Sequence, residues 1–483
     1  MRKYTTLAIV AIAWMGSTPG IGWGASESTA TPTNVAGKWL GTITFGTVKL
    51  RIAFEISAVQ GGGYTGSMRS IDQSAVSIPM SAVKSNGDSL RLEIDAIRSA
   101  YEGKFTTDGN TIEGNWLQHE TTTPLVMKRV DKFPELNRPQ TPKKPYPYIE
   151  EEVAYENQSA NVHIAGALTL PQGKGPFPAV LLIAGSGPLD RDETVYFHKP
   201  FLVLADHLTR QGIAVLRVDK RGVGKTTGEF AEATILDLAD DALAGVEYLK
   251  TRKEIDPKRI GLLGHSEGGV VGPILASRSS DIAFLVMLAG LGQNNGDIII
   301  FQKSLAAREY GADESTLALL RSWYERLYAL VRENTDKATA EKKIRALYAT
   351  LTAEEKEKMG LPDSSLDSEI ADQLRRHWRY DLRYDPRATL MKVRCPVLAL
   401  GGEKDMQVPA KENLAIIEEA LKAGGNTRFT VREFPRLNHG FQTTSTGATS
   451  EHIKTEETMS PLVLQTISDW IIAQTRTTVE TNM

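Results

Sequence analysis

The stretch GLLGHSEGGVV, residues 261–271, sets Ser266 between Gly264 and Gly268, with an apolar run before it and small residues after it. A serine flanked in this way, after a strand and before a helix, fits the GxSxG nucleophile elbow. The turn is so sharp that side chains two residues either side of the serine would collide with its neighbours, and glycine removes the collision. It also sets the serine at a helix N-terminus, here starting near Gly268, where main-chain N–H groups and the positive dipole end favour an oxyanion. A serine hydroxyl is a poor nucleophile until a histidine takes its proton and an acid orients that histidine. With such an elbow the acid and the histidine follow the serine in that order, each in a loop after a strand. CPVLALGGEKDMQVP supplies Asp405, and TRFTVREFPRLNHGF supplies His439. Glu403 is a substitute acid closer to the strand end. Of the eight histidines only His439 and His452 follow Asp405, and the Ser/Thr/Glu-rich stretch around His452 predicts a solvated side chain. His265 adjoins the serine and is expected to support the elbow rather than act as base.

An oxyanion at Ser266 needs preorganised donors. One is the N–H of the residue after the nucleophile, Glu267, and the other comes from the loop after an early strand. That strand is PFPAVLLIAG, 176–185, and its loop is GSGPLDRD, 185–192, in which Ser186 is the first candidate and Gly187 the alternative. Asp190, Arg191 and Asp192 could tie this loop to the sheet or to a cap, and they are assigned no chemical step. RGVGKTTG at 221–228 contains GKT, but a phosphate loop needs a glycine five residues before Gly224, where Asp219 stands. Nucleotide binding is therefore not expected.

These loops require a framework. Apolar runs at 176–185, 213–219, 259–264, 282–290, 395–402 and 427–434 alternate with helical segments such as 237–250. Runs apolar on both faces predict a mostly parallel sheet with helices on both sides. Between Gly290 and Cys395 the interval is too long for a simple crossover and is helical in pattern. Leu320, Trp323, Leu327 and Leu330 share a face, as do Ile370, Leu374 and Trp378, and Thr352 with Glu355 forms a capping box. Ligands bind outside the carboxyl ends of such strands, so this insertion reads as a helical cap at about residues 292–385. Trp323, Tyr324, Trp378 and Tyr380 could line a pocket there, although aromatics at helical spacing are more often core.

Upstream, residues 34–130 follow a different grammar. Val48, Leu50, Ile52, Phe54 and Ile56 alternate with polar or small residues, and turn signals recur at 61–63, 86–88 and 108–110. They predict about seven or eight antiparallel strands in a small sheet or barrel, and the GKW at 37–39 resembles a lipocalin-like domain. Residues 131–148 hold five prolines without apolar periodicity and are expected to be an extended linker to a domain spanning 149–478. At the start, Arg2 and Lys3, the apolar run Leu7–Met15 and small residues around Gly24 and Ala25 have the layout of a secretory signal peptide over 1–25. That run is shorter than the ~20 residues of a membrane span, so a periplasmic or secreted mature protein without a membrane span is expected.

Composition narrows the function further. At 483 residues the chain is long enough for two or three domains. Its net charge of −3 supplies no electrostatic footprint for nucleic acid. The single Cys395 has no partner for an internal disulfide and sits among apolar neighbours, as a core thiol would. No Cys/His cluster has zinc spacing, and no pattern specifies an oligomeric state.

GHSEGG, GSGPLDRD, DKRGVGKTTG, YDPRA at 384–388, GGEKDMQVP and NHGF together resemble bacterial α/β-hydrolase carboxylesterases with a helical cap, related to the dienelactone-hydrolase and prolyl-oligopeptidase-like branches. The resemblance covers residues from about 150 to 475 and rests on the ordered set of motifs. It implies an α/β-hydrolase fold, a Ser266-Asp405-His439 triad and hydrolysis of a small-molecule carboxylic ester through an acyl-enzyme, with neither cofactor nor metal. This chain departs from many relatives in having Lys220 in DKRGVGKT and in carrying the N-terminal β domain. Three rivals share the residues: an acyl-aminopeptidase-like serine peptidase, an acyltransferase, and a non-catalytic binding module on the same fold.

Overall fold

The computed structural model describes residues 34–476 apart from 46–47, 73–76, 119–120, 135, 310 and 334–335, and the leader expected at 1–25 lies outside the described residues. These residues divide into two compact units, one up to Asn137 together with Val195–Phe197, the other Arg138–Thr194 and His198 onward.

The first unit is an antiparallel sheet of β1 (Gly37–Phe45), β2 (Val48–Ala58), β3 (Tyr64–Ser70), β4 (Ile78–Pro79), β5 (Ala82–Asn86), β6 (Ser89–Ile94), β7 (Ser99–Phe105), β8 (Thr111–Gln118) and β9 (Thr121–Val130). The strand order is β4-β3-β2-β1-β9-β8-β7-β6-β5, so the two edge strands are consecutive in the chain. Only Met80 and Ser81 separate them. The Met80 N–H donates to the Gly66 carbonyl of β3 (2.9 Å), and the Ser81 N–H donates to the Glu93 carbonyl of β6 (2.8 Å). The sheet therefore curls until its edges meet. Period-two alternation turns Trp39, Ile52, Phe54, Leu92, Tyr101, Trp116 and Met127 into the interior. The nine strands exceed the seven or eight expected because β4 is two residues long and β5, AVKSN, lacks apolar alternation.

The second unit is an eight-stranded sheet of β10 (Ile149–Asn157), β11 (Val162–Leu170), β12 (Phe177–Ile183), β13 (Ala214–Val218), β14 (Ile255–His265), β15 (Leu285–Leu288), β16 (Val397–Gly402) and β17 (Phe429–Phe434). Its order is β10-β11-β13-β12-β14-β15-β16-β17. β10 and β11 are antiparallel to their neighbours, and β12 to β17 pair in parallel. The six predicted apolar runs are β12 to β17. β10 escaped that reading because IEEEVAYEN alternates glutamates with apolar residues, as an edge strand with one wet face does.

Helices cover both faces. Val180, Leu182, Leu263, Val286 and Leu398 pack with α1 (Pro200–Arg210) on one side. Leu181, Ile183, Leu262 and Met287 pack with α2 (Ile235–Lys250) and α3 (Gly268–Arg278) on the other. Between β15 and β16 run α4 (Asn295–Glu309), α5 (Glu314–Glu333), α6 (Lys337–Tyr348), α7 (Ala353–Met359), α8 (Leu366–Gln373), α9 (Arg376–Asp381) and α10 (Pro386–Leu390). The capping box of Thr352 and Glu355 opens α7. Helices α5, α6 and α8 bury a core of their own, in which Trp323, Leu327, Tyr328, Ile344 and Ile370 are almost fully enclosed. Trp323 and Tyr324 are thus core residues. After β16 come α11 (Ala410–Ala423), α12 (Thr449–Lys454) and α13 (Pro461–Thr475), the last packing beside α1.

The proline-rich stretch changes character at Arg138. Its guanidinium donates to the carbonyls of Ile453 (2.8 Å) and Thr455 (2.9 Å), and the Gln140 amide donates to the Met459 carbonyl (2.7 Å). From Arg138 on, the chain is pinned into the second unit.

Trp323 is 2% exposed. Trp323→Ala is expected to cost about 3–5 kcal/mol, read as a lowered urea midpoint. An unchanged midpoint would show that the helical insertion unfolds outside the main transition.

Candidate active site

β12 and β14 are neighbours, yet α1, which follows β12, and α3, which follows β14, lie on opposite faces of the sheet. Their carboxyl ends therefore open a crevice where side chains and ligands can enter. Ser266 stands there, between the end of β14 and the start of α3, with φ +54°, a left-handed conformation that few non-glycine residues adopt. Its N–H donates to the Leu288 carbonyl of β15 (2.8 Å) and its carbonyl accepts from Gly269 (2.8 Å). The flanking glycines are dictated by backbone. A Cβ on Gly264 would lie 1.9 Å from the Gly268 carbonyl oxygen, and one on Gly268 would lie 2.0 Å from the Ile183 carbonyl oxygen.

The loops after β16 and β17 meet one another. His439 Nδ1 donates to Asp405 Oδ2 (2.8 Å), and Asp405 Oδ1 accepts the N–H groups of Gln407 and Val408 (2.8 Å each). Both side chains are buried. Two main-chain donors on one oxygen and the imidazole on the other leave the carboxylate a single orientation. Glu403 is placed differently: half-exposed, it pairs with Lys404 and accepts the Arg436 N–H (2.8 Å).

His265 joins the histidine loop to the elbow. Its ring lies 4.8 Å from that of His439, and its Nε2 donates to the His439 carbonyl (3.0 Å). Its Nδ1 donates to Glu193 Oε1 (3.0 Å), an oxygen that also accepts the Gly185 N–H (2.6 Å). Burial disfavours the imidazolium, but the Glu193 carboxylate and the His439 carbonyl outweigh it and raise the His265 pKa to about 9. Both ring nitrogens of His265 thus face acceptors, an arrangement that favours the imidazolium.

The loop after β12 reaches the serine, since a Cβ on Gly185 would lie 3.4 Å from Ser266 Cβ. Ser186 follows at once, and Gly187, with φ +100°, faces open space. Glu267 caps the start of α3 and sends its carboxylate to Lys220 Nζ (2.7 Å). The charged run beyond the loop is tied to the sheet. Arg191 forks onto Asp219 (2.8 Å) and Glu152 (2.8 Å), Asp192 pairs with buried Arg217, and Asp190 accepts from Thr194 (2.7 Å). In the GKT stretch the Thr226 and Thr227 hydroxyls accept main-chain N–H groups of β11 (3.0 and 2.8 Å), and the Thr227 N–H donates to His163. This loop is stitched to a strand instead of being open to a phosphate.

One expectation fails. His452, expected to be solvated, is only 7% exposed on α12. Burial pushes its pKa down to about 4. The Ser/Thr/Glu composition around it hid the return of this segment to the domain. Sequence reasoning also missed Glu193, one residue past the quoted loop motif, and Asp381. Asp381 ends α9 within the insertion, 8% exposed, its Oδ1 buried without a hydrogen-bond partner among the described residues. Burial, then the Glu267 carboxylate, raises its pKa to about 7. No local pattern marks either residue. Cys395, read as a core thiol, is half-buried, and burial raises its pKa to about 11.

The fold is that of the α/β-hydrolase superfamily. Residues 136–432 match the X-Pro dipeptidyl-peptidase (S15) family, and the chain belongs to it. It is 28% identical over 298 residues to Esterase EstD of Thermotoga maritima, a match covering 60% of this chain and 61% of that protein. It is 36% identical over 129 residues, 25% of this chain and 19% of the other, to an uncharacterized peptidase, YuxL, of Bacillus subtilis. Among solved structures, the α/β hydrolase GrgF of a Penicillium species aligns with 68% of this chain and 99% of its own at 16% identity and TM-score 0.43.

Gly264→Ala and Gly268→Ala are each expected to abolish soluble expression or to lower the melting temperature sharply, because the clash is with main chain, and soluble yield together with thermal melts of whatever protein is recovered checks this. A second expectation concerns pH. The folded pKa of His265 lies above its unfolded value of 6.5, so its contribution is complete below pH 6.5 and is lost as pH rises through about 9. Denaturant titrations should show stability falling over that interval, and His265→Gln should flatten the fall.

Proposed function

We propose that this chain is an exported serine carboxylesterase acting on small-molecule esters. In this reading His439 takes the proton of Ser266 as the hydroxyl attacks the ester carbonyl, and Asp405 keeps His439 in the tautomer whose Nε2 accepts that proton. The N–H groups of Glu267 and Ser186, with Gly187 as the alternative to Ser186, hold the oxyanion. Collapse of the tetrahedral intermediate expels the alcohol, protonated by His439. Water deprotonated by His439 then attacks the acyl-enzyme and releases the acid. The insertion between β15 and β16 acts as the cap, and the curled N-terminal sheet as a lipocalin-like accessory domain.

The observation that carries the reading is the coupling of three loops. His439 is hydrogen-bonded to Asp405 through one ring nitrogen and held by its carbonyl to His265, the residue next to a serine in a left-handed turn. The name of the Thermotoga relative favours ester over amide substrates. The name of the matched family favours a second reading, cleavage of peptides by the same three residues.

Turnover of p-nitrophenyl esters against dipeptide p-nitroanilides separates the two. Esters are expected to be the better substrates, with Ser266→Ala losing on the order of 10⁴-fold or more in kcat. Fluorophosphonate labelling that persists in Ser266→Ala would reject the triad assignment, and a folded wild type that takes no label would favour a binding module.

A further inference from the structure

The proposed mechanism uses the main chain of the 185–187 loop but leaves unexplained why charged side chains surround its first residue. Gly185 is gripped through both of its peptide groups. Its N–H donates to Glu193 Oε1 (2.6 Å), and its carbonyl accepts from Lys220 Nζ. Glu193 and Lys220 are 2% and 8% exposed. Each grip continues into another catalytic segment. Lys220 Nζ also donates to Glu267 Oε2 (2.7 Å), on the residue after Ser266, and Glu193 Oε1 also accepts from His265, which holds the His439 carbonyl. Glu267, Lys220, Gly185, Glu193, His265 and His439 thus form one unbroken hydrogen-bonded path.

The path is expensive to build. Burying Lys220 and Glu193 and half-burying Glu267 costs desolvation that their pairing only partly returns, and an apolar cluster of the same volume stabilises at least as well. Glu193 is moreover held at φ +52°, an uncommon conformation for glutamate. What charged groups supply and apolar ones do not is direction: Lys220 fixes where the Gly185 carbonyl points, and Glu193 fixes its N–H. Together they set the peptide planes on the two sides of Gly185, the second of which carries the Ser186 N–H. Phe230 lies under the ammonium, 5.2 Å from Nζ to ring centroid, and helps confine it.

We infer that Lys220 and Glu193 are positioning residues that clamp Gly185 from its two sides, holding the oxyanion-binding loop in register with Ser266 and His439. The clamp rests on the reading of Ser266 as the acyl-carrying residue. It also gives a task to the Lys220 ammonium and to the Glu267 carboxylate.

The test compares wild type with Lys220→Met, Glu267→Gln, the double variant Lys220→Met/Glu267→Gln, Glu193→Asp and Glu193→Gln. Readouts are p-nitrophenyl ester kinetics, the rate of fluorophosphonate labelling and thermal melts. Lys220→Met is expected to lower kcat by about 100-fold with KM little changed, because a loop misplaced by about an ångström loses stabilisation of the transition state and not of the substrate. It also orphans Glu267, so its melting temperature falls. In the double variant the melting temperature recovers but kcat does not. Glu193→Asp keeps the charge yet falls a methylene short of Gly185 and loses kcat, while Glu193→Gln keeps the acceptor for the Gly185 N–H, gives up the proton on His265 Nδ1, and retains more of the rate than Glu193→Asp. The pH profile of kcat/KM keeps the same limb for His439 in Lys220→Met. Recovery of kcat along with stability in the double variant would make the pair a packing element and overturn the clamp, as would full kcat in Glu193→Asp. A wild type that neither turns over esters nor takes the phosphonate overturns the esterase reading and the clamp together, whereas an active wild type with equally active Lys220→Met overturns the clamp alone.

Discussion

The site is organised by main-chain contact at the elbow. The Gly268 carbonyl fills the space that a side chain on Gly264 would need, and the Ile183 carbonyl fills the space beside Gly268. Gly269 lies so close to Gly290 that a Cβ on it would sit 2.7 Å from the Gly290 Cα. Three segments, the ends of β12, β14 and β15, are therefore drawn against the first turn of α3 with no side chain between them. Packing this tight leaves a single arrangement. Because Ile183 is two residues before Gly185, the same contact also sets the distance from the serine to the loop that follows β12.

Charge then orients what close packing has brought near. The 185–194 loop has few apolar residues with which to anchor itself, and its anchors are ionic: Arg191 to Asp219 and Glu152, Asp192 to Arg217, Glu193 to His265. Arg217, 2% exposed near the carboxyl end of β13, also reaches Glu150 (2.9 Å), so two strands of the sheet hold one loop. Ion pairs of this kind add little net stability once desolvation is counted. Their contribution is angular, since a fork of N–H donors on a carboxylate tolerates one geometry where apolar contacts tolerate many. The same logic explains the imidazolium of His265: a neutral ring would donate through one nitrogen only, and this ring donates through both.

The helical insertion adds side chains of another kind. Its core is aromatic and self-contained, yet it delivers Asp381 to the vicinity of Glu267 and Lys220. Arg376, at the start of α9, pairs with Asp237 at the first turn of α2 (2.7 Å), so the insertion is attached to the sheet domain close to where Asp381 is delivered. The curled sheet of the first unit has its own interior, filled by Trp39, Trp116 and their neighbours.

Much of this was legible before any coordinates. The six apolar runs predicted β12 to β17, Gly264 and Gly268 predicted the elbow, and the order of Asp405 and His439 predicted that two later loops would converge. These features are local: strand periodicity, turn stereochemistry and the order of loops along the chain are written in neighbouring residues. The sequence alone therefore determined the class of fold and the residue types available for chemistry. It was silent on Glu193 and Asp381, marked Lys220 without giving it a task, and misled on His452, because their roles arise from contacts between segments tens to hundreds of residues apart. A glutamate two strands away from a histidine and a lysine beside a glycine carbonyl have no periodicity. Which buried charges meet, and what each one orients, was decided only when the parallel strands were brought into register and their carboxyl-end loops shared one crevice.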